Sequence, residues 1–385
     1  MSHLFPTYHR WEIEPEKAAG TILYGKDGQQ YIDFTSGIGV CNLGHRPEAV
    51  EHAVKEQLGL FWHVSNLFPQ SIQEEAAKKL ADGSGLDCVF FANSGAEANE
   101  AAIKLARKAT GRTKIITFQQ SFHGRTFAGM AATGQDKIKQ GFGSMLETFI
   151  HLPFNDVEAL KNELDPETAA VMIEIVQGEG GIHVVTNEFI KEAAKLCAEN
   201  GVLLIIDEIQ TGVGRTGKPF AFQHYGIEPD IITVAKGLGN GFPIGAAVGK
   251  AELAESLGPG SHGSTFGGNP ISTSAAIAVM DIIFKEEFLE EVSDKGRLLF
   301  ELLYNELCCL EVVKEIRGLG LMAGIELTVA AQPILAELRK SGLLALPAGE
   351  KVVRLLPPLN VTAEEIEKAV SLLKGTLSKS KAAAL

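Results

Sequence analysis

The chain has 385 residues, 45% of them hydrophobic and 22% charged, which is length and apolar content enough for two globular domains. With 35 basic residues against 48 acidic ones, the formal net charge is −13, which repels a phosphate backbone and excludes nucleic acid as the expected partner. No stretch approaches the roughly 20 apolar residues that span a bilayer, and no basic-then-apolar leader opens the chain, so no membrane partner and a cytoplasmic location are expected. Cys41, Cys88, Cys197, Cys308 and Cys309 are odd in number and lack C-x-x-C spacing, the pattern of free thiols without a disulfide framework or structural zinc.

Taken in chain order, residues 23–34 read as a hairpin broken at Lys26-Asp27-Gly28. Short apolar runs rich in Val and Ile follow at 88–92, 114–118, 170–176, 202–206 and 231–235, the pattern of strands covered on both faces. Helical periodicity lies between them, as at 96–108 and 188–199, so the fold class is α/β with a mainly parallel central sheet and a second, smaller α+β domain. A long apolar-periodic stretch at 269–284 precedes shorter, more charged segments. The expected organisation is an N-terminal segment 1–47 packing with the small domain, a large domain 48–275 and a small C-terminal domain 276–385. The small, polar 378–385 segment reads as a frayed end.

Ligands of open α/β sheets sit beyond the carboxyl ends of the strands, so the residues after each run are the informative ones. The first run leads into Asn93-Ser94-Gly95-Ala96-Glu97, a small-residue turn opening a helix whose free N–H groups would suit a phosphate. An ordinary serine cap would look the same. The second is followed by Ser121-Phe122-His123-Gly124-Arg125-Thr126, and the third by Gln177-Gly178-Glu179-Gly180-Gly181. The fourth ends in Asp207-Glu208-Ile209-Gln210, where a buried carboxylate is costly unless paired. The fifth delivers Lys236 into a glycine-rich turn; a lysine ending a buried strand is poorly explained as a surface charge.

Two nucleotide motifs match weakly at 212–218 and fail on chemistry. Pro219 stands where a P-loop needs a hydroxyl and a backbone donor. Asp207 and Glu208 put negative charge where a dinucleotide pyrophosphate would lie.

A lysine, a carboxylate, a phosphate seat and an aromatic ring at strand ends are the parts of a pyridoxal-phosphate site. The segments FFANSGAEANEAAIKLARK, SFHGRT, QGEGG, DEIQTGVGRTGK, AKGLGNGFPIGA, GSHGSTFGGNP and RLLPPL occur in the order and spacing of the class III, ornithine-type aminotransferases, which the sequence resembles from about Gly20 to Pro358. The resemblance implies a fold-type I dimer with pyridoxal 5'-phosphate as cofactor. It implies that Lys236 holds the cofactor as a Schiff base and moves the substrate proton, and that Asp207 pairs with the pyridinium nitrogen. Ser94, Gly95 and Ala96 would hold phosphate, Phe122 would stack on the ring, and Glu208, Ile209 and Gln210 would complete the cofactor site. Thr265 and Ser264 match a loop that reaches from the neighbouring subunit, to phosphate and substrate respectively. Arg125 and Arg354 match two carboxylate-gripping arginines, and Glu179 the residue that neutralises the second of them.

Within this family the expected reaction moves the terminal amine of an N-acetylornithine-type donor to 2-oxoglutarate, the substrates being small amino and oxo acids. Donors such as ornithine, succinylornithine, 4-aminobutyrate or lysine remain open, since the motifs describe the cofactor better than the donor's tail. An aminomutase or decarboxylase on the same scaffold is the rival outside transamination.

Overall fold

A computed structural model describes residues 3–380. Seven strands form the central sheet, in the order Cys88–Ala92, Gly245–Gly249, Ile231–Val234, Leu203–Asp207, Thr168–Glu174, Lys114–Phe118 and Phe149–Leu152. All neighbours pair in parallel except Gly245–Gly249, which is antiparallel to both strands beside it. That strand is absent from the sequence reading because its run Gly-Ala-Ala-Val-Gly carries little β-branched signal. Its small residues instead let neighbours approach: a Cβ on Gly245 would come within 2.3 Å of the Ser94 carbonyl oxygen.

The strands read at 88–92 and 114–118 are found at those bounds, and the other three with ends shifted by one or two residues, the third ending at Glu174. Beyond it, Val176–Gln177 pairs with His183–Val184 as a separate hairpin whose tip is the glycine-rich loop 178–182. Every residue of Thr168–Glu174 is buried, as a strand covered on both faces requires, and each fully buried Val, Met or Ile there contributes about 1.5–3 kcal/mol.

Helices cover the sheet and are punctuated as their sequences dictate. Gly95–Thr110 begins at Ser94, whose side chain accepts from the Glu97 N–H, and stops at Gly111 in a left-handed conformation. Asn187–Asn200 begins at Thr186 and stops at left-handed Gly201 in the same way. The apolar-periodic stretch folds as Pro270–Ile283, with Asn269 as its cap.

Two smaller sheets flank the central one. Val313–Leu319, Met322–Leu327, Val352–Leu355 and Leu346–Ala348 form an antiparallel sheet in that order. The N-terminal hairpin Ile22–Gly25 and Gln30–Asp33, preceded by Pro15–Ala19, is joined in parallel by Leu343–Leu344 from the far end of the chain. Thr21 ties the same N-terminal segment to Glu365, in the capping box of the last helix, Ala363–Leu377. Of the segment read as a frayed end, 381–385 lies outside the described residues. Among the described residues no helix is long and apolar enough to cross a membrane.

Candidate active site

The parallel strands deliver their last residues to one edge of the sheet, where a cavity of about 410 Å³ opens. Lys236 stands in it directly after the strand Ile231–Val234 and Ala235. Its backbone is left-handed, φ +45°, a conformation that costs a non-glycine residue about 1–3 kcal/mol and persists only where the surroundings impose it. The surroundings here are tight: a Cβ on Gly237 would lie 2.3 Å from Asn42 Nδ2. Among the described residues the Lys236 side chain makes no hydrogen bond or ion pair, while its carbonyl accepts from the Gly239 N–H at 3.2 Å. Burial holds its ammonium below the usual lysine range, Arg354 adds to that, and the charges of Glu179, Asp207 and Glu174 offset only part of it. The side chain is thus an unengaged amine primed to lose its proton.

Asp207 ends the neighbouring strand and is 4% exposed. Its Oδ2 accepts from Asn99 Nδ2 at 2.9 Å and lies 2.8 Å from His123 Nδ1; its Oδ1 accepts from the Ile209 N–H at 3.1 Å. Burial disfavours a charged His123, but the hydrogen bond and charge of Asp207, with the charge of Glu174, win and raise the imidazole above its ordinary value. The Asp207 carboxylate is thus fixed by three partners on the cavity wall. Glu174, at the end of the next strand, accepts from the Phe122 N–H at 2.9 Å, and burial raises its carboxyl to about 7.

On the opposite side the helix Gly95–Thr110 points its N-terminus at the cavity. The Ser94 hydroxyl takes the Glu97 N–H at 3.2 Å, which leaves the N–H groups of Gly95 and Ala96 on the cavity wall without internal partners. Glycine at 95 lets the helix start close on Ile209, whose Cδ1 would lie 2.8 Å from a Cβ there. Phe122 and Ile209 line the walls, and the Arg125 guanidinium is exposed 5.8 Å from the centre of the Phe122 ring. Anion-binding N–H groups, a flat apolar slot, a buried carboxylate and a free amine fit pyridoxal phosphate by charge and shape.

Arg354 lies 2% exposed on Val352–Leu355 and reaches the cavity only through its partners. Its NH1 donates to Glu179 Oε1 at 2.6 Å, Gly178 O at 2.7 Å and Gln210 Oε1 at 3.0 Å; NH2 reaches Glu179 Oε2 at 3.3 Å. Glu179 and Gln210 face the cavity, so the carboxylate covers the guanidinium. Burial opposes ionisation of Glu179, but the charges of Arg354 and Lys236 prevail and hold its carboxyl below the usual range.

Three sequence candidates fall elsewhere. Glu208 points away from the cavity: Thr211 donates to its Oε2 at 2.5 Å and the Phe222 N–H to its Oε1 at 2.8 Å, and burial raises it to about 7. It follows Asp207 in extended chain, so the two side chains leave on opposite faces. Ser264 and Thr265 line an adjoining cavity with Glu97, Glu100 and Lys104, and Asn93 borders both cavities. The sequence assigns no site role to Asn99, His123 or Glu174; a carboxylate closing a run of apolar residues is the signal for Glu174. Among the described residues no cluster of three or more His, Cys, Asp or Glu is placed to hold a metal ion.

A family model described as aminotransferase class-III matches residues 6–377. The chain is 59% identical over 379 residues to an acetylornithine aminotransferase of Bacillus subtilis (strain 168), covering 98% of each chain. It is 53% identical over 377 residues to an acetylornithine aminotransferase of Listeria monocytogenes serovar 1/2a, covering 98% of this chain and 97% of the relative. Among solved structures, an ornithine aminotransferase from Toxoplasma gondii whose active site carries partly occupied pyridoxal phosphate superposes with a TM-score of 0.94, at 32% identity, over 98% of this chain and 92% of that one. An N-acetylornithine aminotransferase from Stenotrophomonas maltophilia K279a gives a TM-score of 0.85 at 34% identity, covering 96% and 97%. Family model, relatives and architecture agree, and the chain belongs to the class-III aminotransferases, which are pyridoxal-phosphate enzymes.

Proposed function

We propose that this protein transfers the terminal amine of N-acetyl-L-ornithine to 2-oxoglutarate, giving N-acetyl-L-glutamate 5-semialdehyde and L-glutamate. The observation that carries the choice of a terminal-amine donor is the closed Arg354–Glu179 pair beside Lys236. A donor whose reacting end carries an amine and no carboxylate meets a neutralised surface there, whereas glutamate and 2-oxoglutarate bring a carboxylate that displaces Glu179 and takes Arg354. The relatives named acetylornithine aminotransferase support the same reading.

When bound, pyridoxal phosphate supplies an aldehyde for the amine and a ring that withdraws electrons from the adjacent carbon. The chain supplies the rest. Lys236 Nζ, its proton affinity lowered by burial, would be the group that takes the proton from the substrate carbon and gives it back. Asp207, steadied by His123 and Asn99, would hold the ring nitrogen. Gly95 and Ala96, with Ser94 beside them, would hold the phosphate, and Phe122, Ile209 and Gln210 would hold the ring. Arg125, exposed at the mouth, grips the donor's distant carboxylate.

The working unit we propose is a cytoplasmic homodimer with shared sites. Leu67 is 91% exposed, Trp62 68% and Phe68 62%, an apolar surface that a second copy would cover. Ser264 and Thr265, outside the cavity of their own chain, would serve the site of that second copy.

Mixing the holoenzyme with N-acetylornithine should shift the cofactor's visible absorbance, and 2-oxoglutarate should restore it with stoichiometric glutamate. Ornithine and 4-aminobutyrate serve as comparison donors. An unchanged spectrum with the acetylated donor, or product without oxo acid consumption, would refute the assignment.

A further inference from the structure

Glu179 sits in the five-residue loop 178–182, which joins two strands of only two residues each. Three of the five loop residues are glycine, so the loop has little stiffness of its own, and its position must be imposed from outside. Gly180 closes on the Gln120 carbonyl and Gly178 on Gln210, and the C-terminal antiparallel sheet supplies the surface that grips both ends of the loop.

Arg317, Gly324 and Arg354 lie in register on three adjacent strands: Arg317 pairs with Gly324, and Gly324 with Arg354. Residues directly opposite one another share a sheet face, so two arginines flank one glycine on the face that meets the loop. Each takes one end of it. Arg354 NH1 donates to the Gly178 carbonyl at 2.7 Å, while Arg317 Nε and NH2 both donate to the Gly181 carbonyl, at 2.9 and 2.6 Å. The glycine between them makes room for the loop's last residue, since a Cβ on Gly324 would lie 2.8 Å from Ile182 Cβ.

Arg317 is itself held rigidly. Its NH1 donates to Glu315 Oε2 and Glu326 Oε2, each at 2.5 Å, and Lys314 occupies the other oxygen of Glu326 at 2.6 Å. An arginine serving only those carboxylates would not direct its Nε–NH2 edge at a carbonyl. His183 closes the remaining side, its Nε2 2.9 Å from where a Cβ on Gly181 would lie.

We propose that Arg317 is a positioning residue for substrate selection: by holding the Gly181 carbonyl it keeps Glu179 seated on Arg354, and so sets how readily a substrate carboxylate displaces Glu179. This rests on the reading that Glu179 yields Arg354 to dicarboxylate substrates. Arg317 touches neither substrate nor cofactor, and its influence passes through the loop alone.

The test uses the holoenzyme and glutarate, a dicarboxylate with no amine to react. Glutarate affinity is measured by calorimetry, and kcat/KM is measured for N-acetylornithine and for glutamate, in Arg317→Gln, Arg317→Lys, Glu179→Gln and the double variant Arg317→Gln/Glu179→Gln. Arg317→Gln is expected to tighten glutarate binding by about three- to tenfold and to lower the N-acetylornithine to glutamate ratio by a similar factor. Arg317→Lys, which keeps the charge but not the fork, should fall between it and the wild type. Glu179→Gln should shift both readouts further, and the double variant should match Glu179→Gln alone. If Arg317→Gln lowers Tm or slows both donors equally while glutarate affinity stays put, and Glu179→Gln still moves it, Arg317 is only structural. A double variant that falls well below Glu179→Gln likewise overturns the proposal. Unchanged glutarate affinity in Glu179→Gln would instead sink the displacement reading, and the role of Arg317 with it.

Discussion

Replacing Glu179 by glutamine isolates the charge of the pair while keeping its shape. In the wild type, Arg354 meets the carboxylate at 2.6 and 3.3 Å and retains the Gly178 carbonyl and Gln210 Oε1 as neutral partners. Glutamine can still accept one hydrogen bond, so the guanidinium is not stripped; it loses charge assistance and neutralisation in a place where it is 2% exposed. A hydrogen bond to a charged group is worth about 1.5–3 kcal/mol against about 0.5–1.5 for a neutral one, so the net change is about 1–2 kcal/mol. Because that cost falls on the state in which Arg354 must stay covered, the acetylated donor should lose and glutamate should gain. The ratio of their kcat/KM values should fall by about five- to thirtyfold. Stopped-flow single-turnover rates for each half-reaction resolve the two effects. Equal losses with both donors would show that Glu179 only supports the loop, and the displacement mechanism would fall.

Lys236→Ala should abolish multiple turnover while the phosphate and ring contacts retain cofactor noncovalently, as followed by visible absorbance; sustained transamination without added amine would remove Lys236 from its role. Mixing Lys236→Ala chains with chains altered at Ser264 and Thr265, each inactive alone, should restore activity through one intact hybrid site, and no recovery in demonstrated heterodimers would mean that each site is self-contained. The fourth expectation concerns pH and the buried Glu208, raised by burial to about 7 from the usual carboxylate value near 4.5. The folded chain then binds a proton that the unfolded chain releases, so stability falls as pH rises from about 4.5 to about 7 and levels off above. Glu208→Gln should remove that component, at most about 3 kcal/mol, so its Tm relative to the wild type should climb between pH 5 and pH 7.5. A pH-independent Tm difference would show that Glu208 is charged in the fold.

The chemistry at the strand ends was legible because it is local. Runs of Val and Ile mark buried strands, and a charged residue directly after such a run, as with Asp207 and Lys236, has no solvated alternative. The helix start at Ser94–Ala96 was legible for the same reason: caps and orphan N–H groups are properties of four or five consecutive residues. The paired roles of Arg354 and Glu179 came from resemblance to relatives, since 175 residues separate them and no periodicity links them.

Tertiary structure decided what depends on register and approach between distant segments. It turned Glu208 away from the cavity that holds Asp207, placed Ser264 and Thr265 in an adjoining one, and inserted Gly245–Gly249 against the direction of its neighbours. It also aligned Arg317 with Gly324 and Arg354, so that two arginines grip the two ends of the loop bearing Glu179. A one-residue slip in that ladder would send both side chains to the other face, and nothing in the local composition of the three strands specifies the slip's absence. The sequence by itself thus determined which groups the site contains; the register of a distant sheet decided how the loop among them is held.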